Sequence, residues 1–185
     1  MNQSVYAEAS VLGLLRNATS ENHRRLEGRF DAVELFSDPS RHSALASRYA
    51  ALHLPAEAVL APWLEELEEL DFASRSRNGM LATFHLPPSY PHPEPGSRSE
   101  ALGMMYVLEG STLGGRIILR ELAKRGLDVS ELGYLDPYGV DTGRRWRAFV
   151  SVLEAETAGD PSSMEEACSG AVKGFLHAEH VLCGG

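Results

Sequence analysis

ALGMMYVLEGSTLGGRIILRELA, residues 101–123, is built from good helix formers yet carries Gly103, Gly110, Gly114 and Gly115. Each glycine inside a helix costs about 1 kcal/mol relative to alanine. A helix that accepts this cost four times needs something to approach its backbone closely. Gly103, Val107, Gly110 and Gly114 step by four, three and four, so they share one helical face. Three of these four positions have no side chain beyond a hydrogen, which leaves a shallow trough for another helix or for a flat ligand. The choice between those two occupants sets the fold and the function.

Outward from this stretch the rest of the chain reads as helical. Leu12, Leu15, Thr19, His23, Leu26 and Phe30 step by three, four, four, three and four within residues 4–30, which predicts a first helix with His23 on its core-facing stripe. Arg16 projects from nearly the same face two turns earlier, and Glu27 lies one turn after His23. Pro39 opens a second helix expected to end near Leu54, where Pro55 interrupts. A third is expected from there to Leu70, with Pro62 near its start or at a kink. Its inner side carries Trp63, Leu64, Leu67 and Leu70, and Glu65, Glu66, Glu68 and Glu69 form a solvated face. Pro87, Pro88, Pro91, Pro93 and Pro95 make a stiff extended connector over the surface.

The glycine-bearing helix then starts near Ser97 or Ser99 and ends by Gly126. Asp136-Pro137-Tyr138-Gly139 signals a turn, Asp141 is the expected N-cap of the next helix, and Pro161 opens a last helix to Leu182. No β alternation and no repeat appears. The expectation is an all-α chain, residues 1–185 in one domain, with about seven helical pieces.

Composition removes several classes of function. A formal net charge of -9 argues against a nucleic-acid binder, which neutralises phosphates with clustered Lys and Arg. No apolar run reaches the roughly 18–20 residues of a membrane span. MNQSVYAEAS lacks the basic start and apolar block of a secretion signal, and the two cysteines, Cys168 and Cys183, suit a reducing cytoplasm better than a disulfide scaffold.

Several constellations bear chemistry. A neutral His23 can ligate iron through one ring nitrogen while Glu27 holds the other; the bland alternative is a hydrogen-bonded core histidine and a surface ion pair. Gly110 to Gly115 has the gap of a phosphate loop, but Arg116 replaces the lysine and no strand precedes it. A flat macrocycle against the trough and close helix packing both remain open. Arg144, Arg145 and Arg147 around Trp146 suit carboxylates, which guanidinium groups bind through paired hydrogen bonds, or form an exposed helix start. His177, His180 and Cys183 spread over about 120° of one helix, a poor set of metal ligands. A di-iron carboxylate centre needs Glu-x-x-His motifs, and no histidine here has Glu three positions before it.

Three of these stretches together resemble the haem oxygenase family. LLRNATSENHRRLE, residues 14–27, is similar to its first-helix motif, with an L-[RK]-x-x-T-x-x-x-H core ending at the proximal histidine. YVLEGSTLGGRIIL, residues 106–119, resembles its distal helix, and DPYGVDTGRRWRAFVSVLE, residues 136–154, resembles the bacterial branch that supplies biliverdin to bacteriophytochromes.

The resemblance implies His23 as axial iron ligand with Glu27 behind it, and Gly110, Gly114 and Gly115 on the distal side of the haem. It implies Arg16, Arg147 and, more loosely, Arg144 near the propionates, with Tyr106 also lining the haem site. Many members carry Asp after the first distal glycine; here it is Ser111. The implied reaction opens haem to biliverdin, CO and ferrous iron with O2. Its electrons come from a ferredoxin or reductase, because no flavin or nucleotide motif is present. A haem carrier or sensor without turnover, and a helical interaction protein, are the rival readings. A thiaminase-like enzyme would need a mid-chain cysteine, which is absent.

Overall fold

The computed structural model describes residues 10–85 and 91–184, and within them every regular element is helical. Helix α1 (Val11–Arg29) is capped by Ser10, whose hydroxyl accepts from the Gly13 amide at 3.2 Å. The expected residues 4–9 of this helix lie outside the described residues, as do Pro87 and Pro88. Helix α2 (Ala32–Phe36), not foreseen from the sequence, and α4 (Asn78–Leu81), which falls in the short piece expected between Leu70 and Phe84, flank the long α3 (His42–Leu64).

Helix α3 corrects the expected break at Pro55. It runs through both Pro55 and Pro62. An interior proline costs roughly 3 kcal/mol, but Leu45, Tyr49, Leu52, Ala56, Leu60 and Leu64 form one buried stripe across the prolines. Burying a leucine is worth about 1.5–3 kcal/mol, so keeping the stripe intact outweighs the lost hydrogen bond. Leu70, expected in that helix, sits instead in a separate 3-10 turn, Glu68–Leu70.

The glycine-bearing stretch is α5 (Arg98–Lys124), one continuous helix whose N-cap Ser97 accepts from the Glu100 amide. Helix α6 (Thr142–Thr157) follows two 3-10 turns. Asp141 stands at its N-cap position, but the carboxylate bonds Arg144 rather than a free amide. The chain closes with α7 (Pro161–Cys183), where Asp160 accepts from the amides of Ser162 and Ser163.

Helix α7 is the ruler of the fold, and its most extensive partners are α5 and α1. A Cβ on Gly103 would lie 1.9 Å from the Ala167 carbonyl oxygen, and one on Gly170 would lie 2.0 Å from that of Glu100. The two glycines therefore let α5 and α7 cross backbone to backbone. Further along, Gly174 receives the Val107 side chain. On the other side of α7, Phe175 meets His23, and Glu179 bonds Arg25 and Arg29. Both α1 and α5 thus run parallel to α7, in a shared register.

Candidate haem site

The register along α7 decides what faces what. Tyr106 of α5 feels Thr19 and Arg16 of α1, which places those residues side by side. Four residues further on each parallel helix, about 6 Å of rise, come His23 and Gly110; four more bring Glu27 and Gly114. On this register His23 stands level with Gly110, and Gly114 lies one turn further along.

At that level the surface is open. A Cβ on Gly110 or on Gly114 would find nothing within 4 Å. The His23 side chain is 54% exposed, with its Nδ1 3.2 Å from the Glu27 carboxylate. Its edge contact with Phe175, at 5.6 Å between ring centroids, fixes one side of the imidazole. Among the described residues Nε2 has no protein partner. This corrects the expectation that the ring sits in the core: it lies on the predicted stripe, yet about half of the side chain stays exposed.

The trough of the sequence reading divides. Gly103 and Val107 take helix α7, as a packing reading expects, while Gly110 and Gly114 take nothing from the protein. Gly115 departs from the expected set. Its Cβ would stand 2.0 Å from the Leu135 carbonyl oxygen, so it serves the close approach of the 3-10 turn Ser130–Leu135 and does not line the open face.

One end of the open face is closed by aromatic rings and guanidinium groups. Tyr106 packs on Trp146 of α6 at 5.9 Å, and its burial pushes the phenol pKa up against the opposing effects of Thr19 and Arg16. Arg16 and Arg147 are exposed and have no ion-pair partner among the described residues. Arg144 is exposed too, but donates to Asp141 at 3.1 Å. Arg145 turns away, donating to Ser74 at 2.6 Å and stacking over Tyr138 at 4.8 Å.

Ser111 is turned towards the back of α5. Its hydroxyl donates to the Leu108 carbonyl at 2.6 Å and accepts from Arg77 at 3.4 Å. Arg77 is 3% exposed, and its guanidinium bonds neutral oxygens, including Thr112 at 2.6 Å and the Tyr134 carbonyl at 2.9 Å. Beside it, Arg75 pairs with the buried Glu109 at 2.7 Å, and Tyr138 donates to the same carboxylate. Burial pushes the Glu109 pKa up, against the pull of Arg75, Tyr138 and Arg77. The sequence reading missed this network, because Arg75-Ser-Arg77 carries no pattern that separates two buried arginines from a polar loop. A cavity of about 420 Å³ adjoins it, lined by His53, Glu57, Met105, Leu108, Glu109 and Tyr138. These are positions on the opposite side of α5 from Gly110 and Gly114, so the cavity is separate from the open face.

The chain is 32% identical to a heme oxygenase of Xanthomonas campestris pv. campestris over 151 residues, 76% of this chain and 87% of that protein. It belongs to the haem oxygenase family. No family model matches the chain. The fold resembles the solved NO- and CO-bound heme oxygenase of Neisseria meningitidis, with a TM-score of 0.69 at 22% identity over 94% of this chain and 90% of that one. Family membership and the all-α architecture thus agree with the reading of the three sequence motifs. Among the described residues no helix is long and apolar enough to cross a membrane, and no group of three His, Cys, Asp or Glu side chains is arranged to hold a metal ion.

Proposed function

We infer that this haem oxygenase takes haem as its substrate on the open face between α1 and α5, and opens it oxidatively to biliverdin, CO and ferrous iron. The observation that carries this reading is the pairing, on neighbouring turns of two parallel helices, of an exposed imidazole with two glycines whose side-chain positions are empty. A flat macrocycle needs that combination: a nitrogen ligand on one side and a wall without side chains on the other.

Each residue has a defined task in this reading. His23 offers Nε2 to iron, and Glu27 at Nδ1 keeps that proton on Nδ1, so that Nε2 carries the free lone pair. Gly110 and Gly114 admit the ring face to the backbone of α5. Arg16 and Arg147, without an ion-pair partner among the described residues, meet the propionates beside Tyr106, and Arg144 contributes less because Asp141 already engages it. Ser111 spends its proton on Leu108, so it serves the distal side as an acceptor and through the fixed charge of Arg77. The bound haem supplies the iron at which O2 is activated.

The electrons come from a separate ferredoxin or reductase. A reducing cytoplasm suits the two free thiols, Cys168 and Cys183. A bacteriophytochrome is the proposed recipient of the biliverdin, on the resemblance of residues 136–154.

The test is an absorption titration with haemin followed by reductant in air, with catalase present. A Soret band that gives way to the broad red absorption of biliverdin supports turnover. A Soret band that persists points to a carrier or sensor, a reading favoured only by the engaged hydroxyl proton of Ser111. The absence of any Soret band overturns haem binding itself.

A further inference from the structure

Three histidines outside the haem site are buried together. His53 of α3, His92 of the proline-rich connector and His177 of α7 are 2%, 6% and 8% exposed. His92 and His177 meet edge to face, with centroids 4.8 Å apart, and His53 stacks on Tyr49 at 6.1 Å. The His92 Nδ1 lies 2.9 Å from the Pro93 carbonyl oxygen, while Nε2 of both His53 and His177 is buried with no hydrogen-bond partner among the described residues. These are imidazoles used as core aromatics, at the cost of two unsatisfied polar atoms.

We propose that His53, His92 and His177 form an acid-sensitive tether, which holds residues 91–96 against α3 and α7 at neutral pH and releases them when the rings take up protons. The charges around the cluster all act in one direction. His53 faces Arg77 and His92; His177 faces His92 and His180. Tyr49 stays protonated, its pKa pushed up to about 12 by burial. Among the described residues no carboxylate pairs with any of the three histidines: Glu57 is held by Ser76 and the Arg77 amide, and Glu179 by Arg25 and Arg29. A proton on His53 therefore meets the Arg77 guanidinium, and one on His177 meets the His92 and His180 rings, with no paired carboxylate among the described residues.

Burial, then His92 and His180, lowers the His177 pKa to about 4, and burial also lowers those of His53 and His92. A histidine with a depressed folded pKa takes up its proton only on release. The held state thus loses stability as pH falls from about 6.5 towards about 4. The release equilibrium should rise about tenfold per pH unit for each histidine that charges. This inference does not depend on what occupies the haem site.

The test is amide hydrogen exchange at His92, Glu94 and Gly96 in the full chain without haem, between pH 7.5 and 5.0, corrected for intrinsic exchange chemistry. Loss of protection by more than tenfold at the acid end, abolished in a His92→Phe, His177→Phe double variant, is the expected result. Protection that is flat with pH, or that falls equally in the variant, overturns the tether. If the variant does not fold, the ring protons of the parent decide by NMR. Midpoints below the ordinary histidine value that track the amide release support the proposal, and ordinary midpoints with protection retained refute it.

Discussion

His23 stands edge-on to Phe175, and the residue before Phe175, Gly174, takes the side chain of Val107 from α5. A single turn of α7 therefore touches both α1 and α5, the helices that carry the two walls of the proposed haem site. Both helices pack against α7, and such packing supplies the preorganisation that a binding site needs.

Replacing His23 by alanine removes a half-exposed ring, so the unfolding free energy of the unliganded chain should change by no more than about 1 kcal/mol. The Soret band of the haem complex should collapse and return on adding imidazole. Biliverdin formed at the parent rate without imidazole would remove His23 from the role of iron ligand.

The glycines of α5 should behave in opposite ways. Gly110→Ala places a methyl in open space and stabilises the unliganded chain by about 1 kcal/mol through helix propensity. Gly103→Ala drives a methyl into the Ala167 carbonyl and should cost about 3 kcal/mol or more. Urea unfolding of the two variants measures the difference. Gly114→Leu should fold normally yet bind haemin at least tenfold more weakly.

Arg16→Ala and Arg147→Ala should each weaken haemin binding about tenfold, the scale of a lost hydrogen bond to a charged group. Arg144→Ala should weaken it less, since its guanidinium is shared with Asp141. Spectroscopic titrations at one fixed salt concentration give the ranking, and an Arg144 effect larger than that of Arg147 would reverse the assignment.

Arg75→Met leaves Glu109 buried without its ion pair, and should cost about 3–5 kcal/mol at pH 7. The Glu109 pKa, already raised by burial, rises further once Arg75 is gone. A carboxyl with a raised folded pKa adds stability below its ordinary pKa and loses it as pH climbs through the raised value. The variant should therefore gain stability relative to the parent between pH 7 and pH 5 in denaturant melts, and Glu109→Gln in that background should recover part of the loss.

The periodic elements were legible because their signals are local. The stripe of α1, the helix starts near Ser97 and at Pro161, and the glycine face of α5 all appear in the sequence at the spacing the structure uses. Pro55 misled because proline is a local breaker, whereas the buried stripe that overrides it runs the whole length of α3. Gly115 misled for a related reason: one residue after Gly114 it points about 100° further round the helix, where the Leu135 backbone arrives from a distant part of the chain.

By itself the sequence determined that the chain is helical, that His23 and the glycines lie on defined faces of two helices, and which family motifs they belong to. Those properties follow from residue spacing, which the 3.6-residue period converts directly into direction. Only the tertiary structure decided that α7 sets α1 and α5 in parallel register, that Gly103 and Gly115 pack while Gly110 and Gly114 stay open, and that Arg75, Arg77 and three histidines are buried. Burial and register depend on which distant backbone comes to rest against each face, and no local spacing encodes that.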